Sequence, residues 1–206
     1  QGDQFPQAVK LAVCGFYDPI TAGDSGLSAV VQSVMAAEVG HQEMAMEYFL
    51  DALYCDLADT HHNASDGVHV ASTGGVWGCL VHGFVGMRND RENLRFDPRL
   101  PAQWTSIKHH MLIGDSHMLV KLERDAITFQ ILSGHDREVT VRGELHHIGV
   151  EPVRIPLSDQ GPLRPSLRGT HPISGLRRAD GSLITAEVPG SIAETIVSSP
   201  ILPSRD

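Results

Sequence analysis

Val76-Trp77-Gly78-Cys79-Leu80-Val81-His82-Gly83-Phe84-Val85-Gly86-Met87-Arg88-Asn89-Asp90, followed shortly by Leu94-Arg95-Phe96-Asp97-Pro98, is where the chain changes its period. Up to Arg88 the apolar residues recur at helical spacing, and beyond it they alternate as on strands. Helices first and strands second predict an α+β chain. Its expected parts are helices over 1–88, a small antiparallel β-sandwich over 89–157 and a mostly irregular tail over 158–206.

Before the switch, Asp24-Ser25-Gly26-Leu27-Ser28 reads as a helix opening, because Asp24 or Ser25 can accept from free backbone N–H groups. The spacing predicts a helix over Leu27–Val39, with Leu27, Val30, Val31, Val34 and Met35 on one stripe and Gly40 as its stop. A second helix is expected over Gln42–Leu57, with Met44, Ala45, Tyr48, Phe49, Ala52 and Leu53 inward, so that the two form an αα-hairpin. A polar loop leads to a third helix over Val68–Val85. Its interior glycines, Gly74, Gly75, Gly78 and Gly83, each cost about 1 kcal/mol against Ala. They predict close packing against another helix or a ligand, inside a helical assembly rather than at its edge.

Beyond it, Leu94–Pro98, Ile107–Ile113, His117–Glu123, Ala126–Leu132, Val139–Val141 and Leu145–Val150 read as strands. Leu119, Leu122, Ile127, Phe129 and Ile131 supply apolar faces, and Gly114-Asp115 and Arg124-Asp125 supply turns. Val153–Leu157 reads as an edge strand, since Pro156 cannot donate to a ladder. From Ser158 onward Pro and Gly break the periodicity, which predicts a largely flexible tail with one candidate strand at Ser182–Ala186.

Acidic residues number 25 against 16 basic ones, a formal net charge of −9. That balance argues against a nucleic-acid partner, which needs clustered Lys and Arg. No signal peptide is visible, and no apolar run approaches the roughly 20 residues that span a bilayer. The polar start Gln1-Gly2-Asp3-Gln4, without Met, reads as the beginning of a piece of something longer. Cys14, Cys55 and Cys79 stand far apart among apolar neighbours, as buried free thiols of a reducing cytoplasm do.

Three histidine pairs occur, His61-His62, His109-His110 and His146-His147. Adjacent residues on a strand point to opposite faces and do not chelate one ion, and the strand histidines read as surface residues. With no H-E-x-x-H or C-x-x-C spacing, no metal site and no cofactor are expected. Asp24, Asp56, Asp59 and Asp66 read as helix caps or solvated loop acids. Two places suit an oxyanion: Thr21–Ser28, and Asp66-Gly67-Val68-His69-Val70-Ala71-Ser72. Each lies at a helix start, where N–H groups, hydroxyls and, in the second, an imidazole can converge. Spacing alone leaves plain capping and anion binding both open there.

Those stretches, together with Phe16-Tyr17-Asp18-Pro19-Ile20-Thr21, Ala36-Ala37-Glu38-Val39-Gly40, Gly83-Phe84-Val85-Gly86-Met87-Arg88 and Leu94-Arg95-Phe96-Asp97-Pro98-Arg99-Leu100-Pro101, resemble glycoside hydrolase family 65, the maltose, trehalose and kojibiose phosphorylases. The resemblance covers roughly residues 5 to 157, in order. It implies that the helices are the last ones of an (α/α)6 barrel, followed by the family's small β-sandwich. It also implies inverting attack at an anomeric carbon. A Glu protonates the leaving oxygen while phosphate, or in hydrolases an activated water, enters from the opposite face. That Glu belongs to a motif upstream of this chain, so no catalytic residue is assigned, and the fragment is expected to be inactive alone. The resemblance places phosphate contacts on Ser25, His69 and Ser72.

Where the family commonly has His-Asp-Ser-Ser, this chain has Gly23-Asp24-Ser25-Gly26, with two potential donors replaced by Gly. The expected activity is phosphorolysis of an α-linked glucose disaccharide to glucose 1-phosphate, with inorganic phosphate as co-substrate. Two alternatives are trehalase-like inverting hydrolysis and a non-catalytic module of helices and sandwich. Expected partners are disaccharide and phosphate, with neither nucleic acid nor membrane, and a homodimer is compatible with these features.

Overall fold

The computed structural model describes residues 5–18, 21, 25–90 and 93–168. They group into two units: one holds the residues up to Cys79 together with those from Arg164, and the other is Leu80–Leu163. Asp24 and the candidate strand Ser182–Ala186 lie outside the described residues.

In the helical unit, α1 (Gln7–Tyr17) follows Pro6, α2 (Gly26–Val39) and α3 (Gln42–Tyr54) form a hairpin, and α4 (Val70–Gly78) follows a 3-10 turn at Ala64–Asp66. The stop of α2 is the one its sequence predicts. Gly40 sits at φ 96, and the N–H groups of Gly40 and His41 both bond to the Ala36 carbonyl, at 3.0 and 2.9 Å. Its buried face differs from the expected stripe. Ala29, Val30, Ser33, Ala36 and Ala37 are inside, while Leu27 and Val31 are 49 % and 59 % exposed. Small residues win this contact because they let the helix backbones approach, close enough for the Ser33 hydroxyl to donate to the Ala45 carbonyl at 2.8 Å. On α3 the inward residues Met44, Ala45, Tyr48, Phe49 and Ala52 are buried as expected.

Gly75 accounts for part of the glycine pattern in α4, since a Cβ there would come within 2.5 Å of the Val30 side chain on α2. Yet α4 is not enclosed: Val70 and Trp77 are exposed, and Ser72 is the residue it buries. The expected helix over Val68–Val85 is shorter than its pattern. It widens into a π-helical turn at Cys79–Phe84, where the Val85 N–H reaches back to the Leu80 carbonyl at 2.9 Å.

The second unit holds two four-stranded sheets. Its strands are β1 (Met87–Asp90), β2 (Asn93–Phe96), β3 (Ser106–Ile113), β4 (Ser116–Glu123), β5 (Ala126–Ser133), β6 (Arg137–Val141), β7 (Glu144–Ile148) and β8 (Val153–Pro156). The sheet orders are β1-β2-β6-β7 and β3-β4-β5-β8. One ladder corrects the purely antiparallel expectation: β2 pairs with β6 in parallel, Leu94 opposite Val139 and Phe96 opposite Val141. The chain builds three strands of the other sheet between them, and a connection of that length permits parallel pairing. Residues Met118, Val120 and Leu122 of β4 are buried, so Leu119 falls on the other face; Ile127, Phe129 and Ile131 of β5 are buried as expected. Phe96 and Phe129, one from each sheet, meet with ring centroids 4.8 Å apart. The Arg124 guanidinium holds the β2–β3 connection by donating to the carbonyls of Leu100, Pro101 and Trp104 at 2.8–3.0 Å. Of the strand histidines, His110 and His147 are exposed, but His109 is half-buried, and burial holds its imidazole below the usual range. Among the described residues no helix is long and apolar enough to cross a bilayer.

Candidate functional site

Two helix starts meet in the helical unit. At the first, Ser25 takes extended backbone (φ −140, ψ 127), and its Oγ accepts from the Leu27 N–H at 3.3 Å. This is N-capping, and it leaves the hydroxyl proton available to another acceptor. At the second, His69 precedes α4, and Asp56 serves as the cap from a distance. The Asp56 carboxylate accepts from the His69 backbone N–H at 2.8 Å and from its Nδ1 at 2.5 Å. Those two bonds, the side-chain one first, hold the Asp56 carboxyl below the ordinary carboxylate value. With Nδ1–H committed to Asp56, Nε2 is the ring atom left for a ligand.

The starts are brought together through Gly26. A Cβ on that residue would lie 2.7 Å from the Ser72 Oγ and 2.9 Å from the Cys55 Sγ. The third residue of α4 therefore touches the first residue of α2, and Cys55, next in sequence to Asp56, sits between them. Burial, and then the Asp56 charge, push the Cys55 thiol up. Ser25, His69 and Ser72, singled out by sequence, thus share one neighbourhood, although Ser72 is only 4 % exposed.

Asp56 and Cys55 join them, although their sequence context predicts only a loop acid and a buried thiol. Thirteen residues separate Asp56 from His69, a distance that no local spacing rule connects. Cys55, Asp56 and His69 also bring one potential metal-ligating atom each within 4.8 Å of one another. The 2.5 Å between Nδ1 and Oδ1 is a hydrogen bond, and is shorter than the roughly 3.3 Å separating two ligands around a tetrahedral zinc with bonds of about 2.0–2.1 Å. The arrangement as it stands is a carboxylate–imidazole pair beside a protonated thiol.

Comparison with known proteins follows the same division. Residues 1–78 match the glycosyl hydrolase family 65 central catalytic domain, and residues 87–148 match the C-terminal domain of that family. An alpha,alpha-trehalose phosphorylase of Geobacillus stearothermophilus is 35 % identical over 133 residues, which are 65 % of this chain and 17 % of that protein. An uncharacterized glycosyl hydrolase of Mycobacterium leprae is 34 % identical over 192 residues, 90 % of this chain and 24 % of its own length. A solved structure provisionally named a kojibiose phosphorylase, from the human microbiome, shares the fold with a TM-score of 0.72 at 23 % identity, over 78 % of this chain and 24 % of that one. The chain therefore spans less than a quarter of the length of these relatives. Matched in order to two successive domains of one family, the chain belongs to glycosyl hydrolase family 65.

Proposed function

We propose that this chain is the C-terminal portion of an inverting phosphorylase that cleaves an α-linked glucose disaccharide, of the maltose, trehalose or kojibiose type, and releases glucose 1-phosphate. In this reading residues 1–88 supply the last helices of an (α/α)6 barrel and 89–157 its C-terminal domain. Ser25, His69 and Ser72 form the phosphate side of the site. The supporting observation is the approach of the two helix starts at Gly26 and Ser72, with His69 oriented by Asp56.

A hydroxyl at Ser25, the α2 dipole behind it and the His69 Nε2 suit a phosphate dianion. Phosphate held there attacks the anomeric carbon. The new C–O–P bond forms as the glycosidic C–O bond breaks, and a general acid elsewhere in the enzyme protonates the departing sugar oxygen. His69, held by Asp56 through Nδ1, presents Nε2 to the bound phosphate. Exposed apolar side chains on three helices, Val9, Val13 and Phe16 of α1, Leu27 and Val31 of α2, and Val70 and Trp77 of α4, are the faces that other barrel helices would cover.

Hydrolysis is the second reading, favoured by one observation: Gly26 brings no hydroxyl, and the space of a side chain there is taken by Ser72 and Cys55. The test is disaccharide cleavage by the full-length protein with and without inorganic phosphate, following glucose 1-phosphate. Phosphate-dependent release is expected. His69→Ala should raise KM for phosphate about tenfold or more, as loss of a charge-assisted contact does. Equal cleavage without phosphate would assign a hydrolase, and an unchanged phosphate KM in His69→Ala would remove the site.

A further inference from the structure

The chain leaves the sandwich unit at Leu163, and Arg164 to Arg168 belong to the helical unit. These five residues have no helix or strand of their own, yet they are tied to the helices. The Arg164 N–H and Nε donate to the carbonyls of Gly40 and Val39, at 2.9 and 3.0 Å. A cation thus sits on the last carbonyls of α2, the end where its dipole is negative. His41 Nδ1 donates to the Pro165 carbonyl at 2.6 Å, and Ser166 Oγ donates to Glu47 at 3.4 Å. Arg168 enters α3 most deeply. Its Nη1 donates to Asp51 at 3.0 Å, its Nε lies 3.8 Å from Glu47, and its guanidinium stands 4.4 Å from the centre of the Tyr48 ring. Its side chain and that of Asp51 are 8 % and 9 % exposed.

Tyr48 carries the connection onward. Burial and the nearby Asp18 charge push its phenol up, so it remains a donor. Its hydroxyl donates to both oxygens of Asp18 at 3.0 Å and accepts from Gln32 Nε2 at 3.0 Å; Gln32 also donates to Asp18. Asp18 closes α1 seven residues before Ser25, and Gln32 lies on α2 seven residues after it. From Arg168 the contacts run over the face of the Tyr48 ring and then through its hydroxyl to Asp18 and Gln32, which flank Ser25 in sequence.

We propose that Arg164–Arg168 is a strap that positions the phosphate end of the site, with Arg168 as a positioning residue acting through Tyr48, Asp18 and Gln32. This rests on the phosphorylase reading above. Removing the guanidinium takes the cation from the buried Asp51 carboxylate and from the face of Tyr48. The α2–α3 hairpin then loses a contact that supports the approach of Gly26 to Ser72.

The test uses the full-length protein and measures kcat, the KM for phosphate and for disaccharide, and Tm for Arg168→Lys, Arg168→Ala and Tyr48→Phe. Arg168→Ala should raise the phosphate KM about five- to tenfold, the size of one weakened charged contact, with the disaccharide KM within about twofold. Arg168→Lys, which keeps the charge but not the planar fork, should recover part of it. Tyr48→Phe removes only the hydroxyl and keeps the question open to measurement if Arg168→Ala fails to fold. Folded Arg168→Lys and Tyr48→Phe proteins with lowered Tm but unchanged phosphate KM would reduce the strap to a stabilising contact and overturn the proposal. A wild-type enzyme indifferent to phosphate would overturn the underlying reading instead, and the two failures are told apart by the wild-type assay alone.

Discussion

The helical unit leaves more large apolar side chains exposed than the sandwich does. In the sandwich Met118, Val120, Leu122, Phe129 and Ile148 are fully buried. The helices keep a core at Tyr48, Met44 and Ala45 but leave large apolar side chains exposed on α1, α2 and α4. A strand pair satisfies its backbone against another strand and buries one face against the facing sheet. A helix satisfies its backbone internally and can still present a second apolar face to elements outside the unit. The candidate chemistry sits in the unit with more exposed apolar side chains, at the starts of two helices.

The sharpest way to break the comparison is in the sandwich core. Phe129→Ala should cost about 3–5 kcal/mol, the usual range for emptying a buried aromatic site, read by denaturant unfolding of the full-length protein. Glucose release per folded molecule should stay near wild type. An equal loss of activity per folded molecule would mean that the two regions are not energetically separate.

In the helical unit, Gly75→Ala places a Cβ against Val30. Overpacking of this kind costs about 1–3 kcal/mol, offset in part by the gain of about 1 kcal/mol in helix propensity. A net loss of stability accompanied by a higher phosphate KM is expected, because α4 must move away from α2. A Gly75→Ala protein more stable than wild type would show that the close contact is not needed.

Asp56→Asn tests the pair at the α4 start through pH. The folded Asp56 carboxyl lies below its ordinary value of 3.8. Its contribution to stability is present above that value and is lost as pH falls through the lowered one. The acid limb of the unfolding profile should therefore flatten in Asp56→Asn, and an unchanged limb would detach Asp56 from His69. The smallest effect concerns Cys14 and Cys79, whose thiols burial pushes up from 9.0 to about 11. The fold disfavours their thiolates, so stability is unaffected below the ordinary thiol range and declines as pH rises toward 11. Alkylation of the native protein at pH 8 should be slow at both positions, and rapid labelling would contradict their burial.

Much of the architecture was legible in the chain. The Gly40 stop, the inward face of α3 and the alternation of Ile127, Phe129 and Ile131 are local patterns, each decided by residues within a turn or a strand. The face of α2 was misread because hydrophobicity favours Leu27 and Val31, whereas the helix partner selects the small residues Ala29, Ser33 and Ala36. Strand β1 was missed because Arg88, Asn89 and Asp90 carry no apolar alternation. Ser25, His69 and Ser72 could be singled out as residues near helix starts. Their meeting could not, since it depends on Cys55, Asp56 and the absent side chain of Gly26.

By itself, then, the sequence determined where helices give way to strands, which turns take glycine and which polar residues open helices, because these follow from interactions a few residues apart. Only the tertiary structure decided that β2 pairs in parallel with β6, that Asp56 holds His69, and that Arg168 returns to Tyr48 across more than a hundred residues. Those contacts join distant segments whose approach is set by packing, and packing depends on the volumes of all the side chains that share an interior.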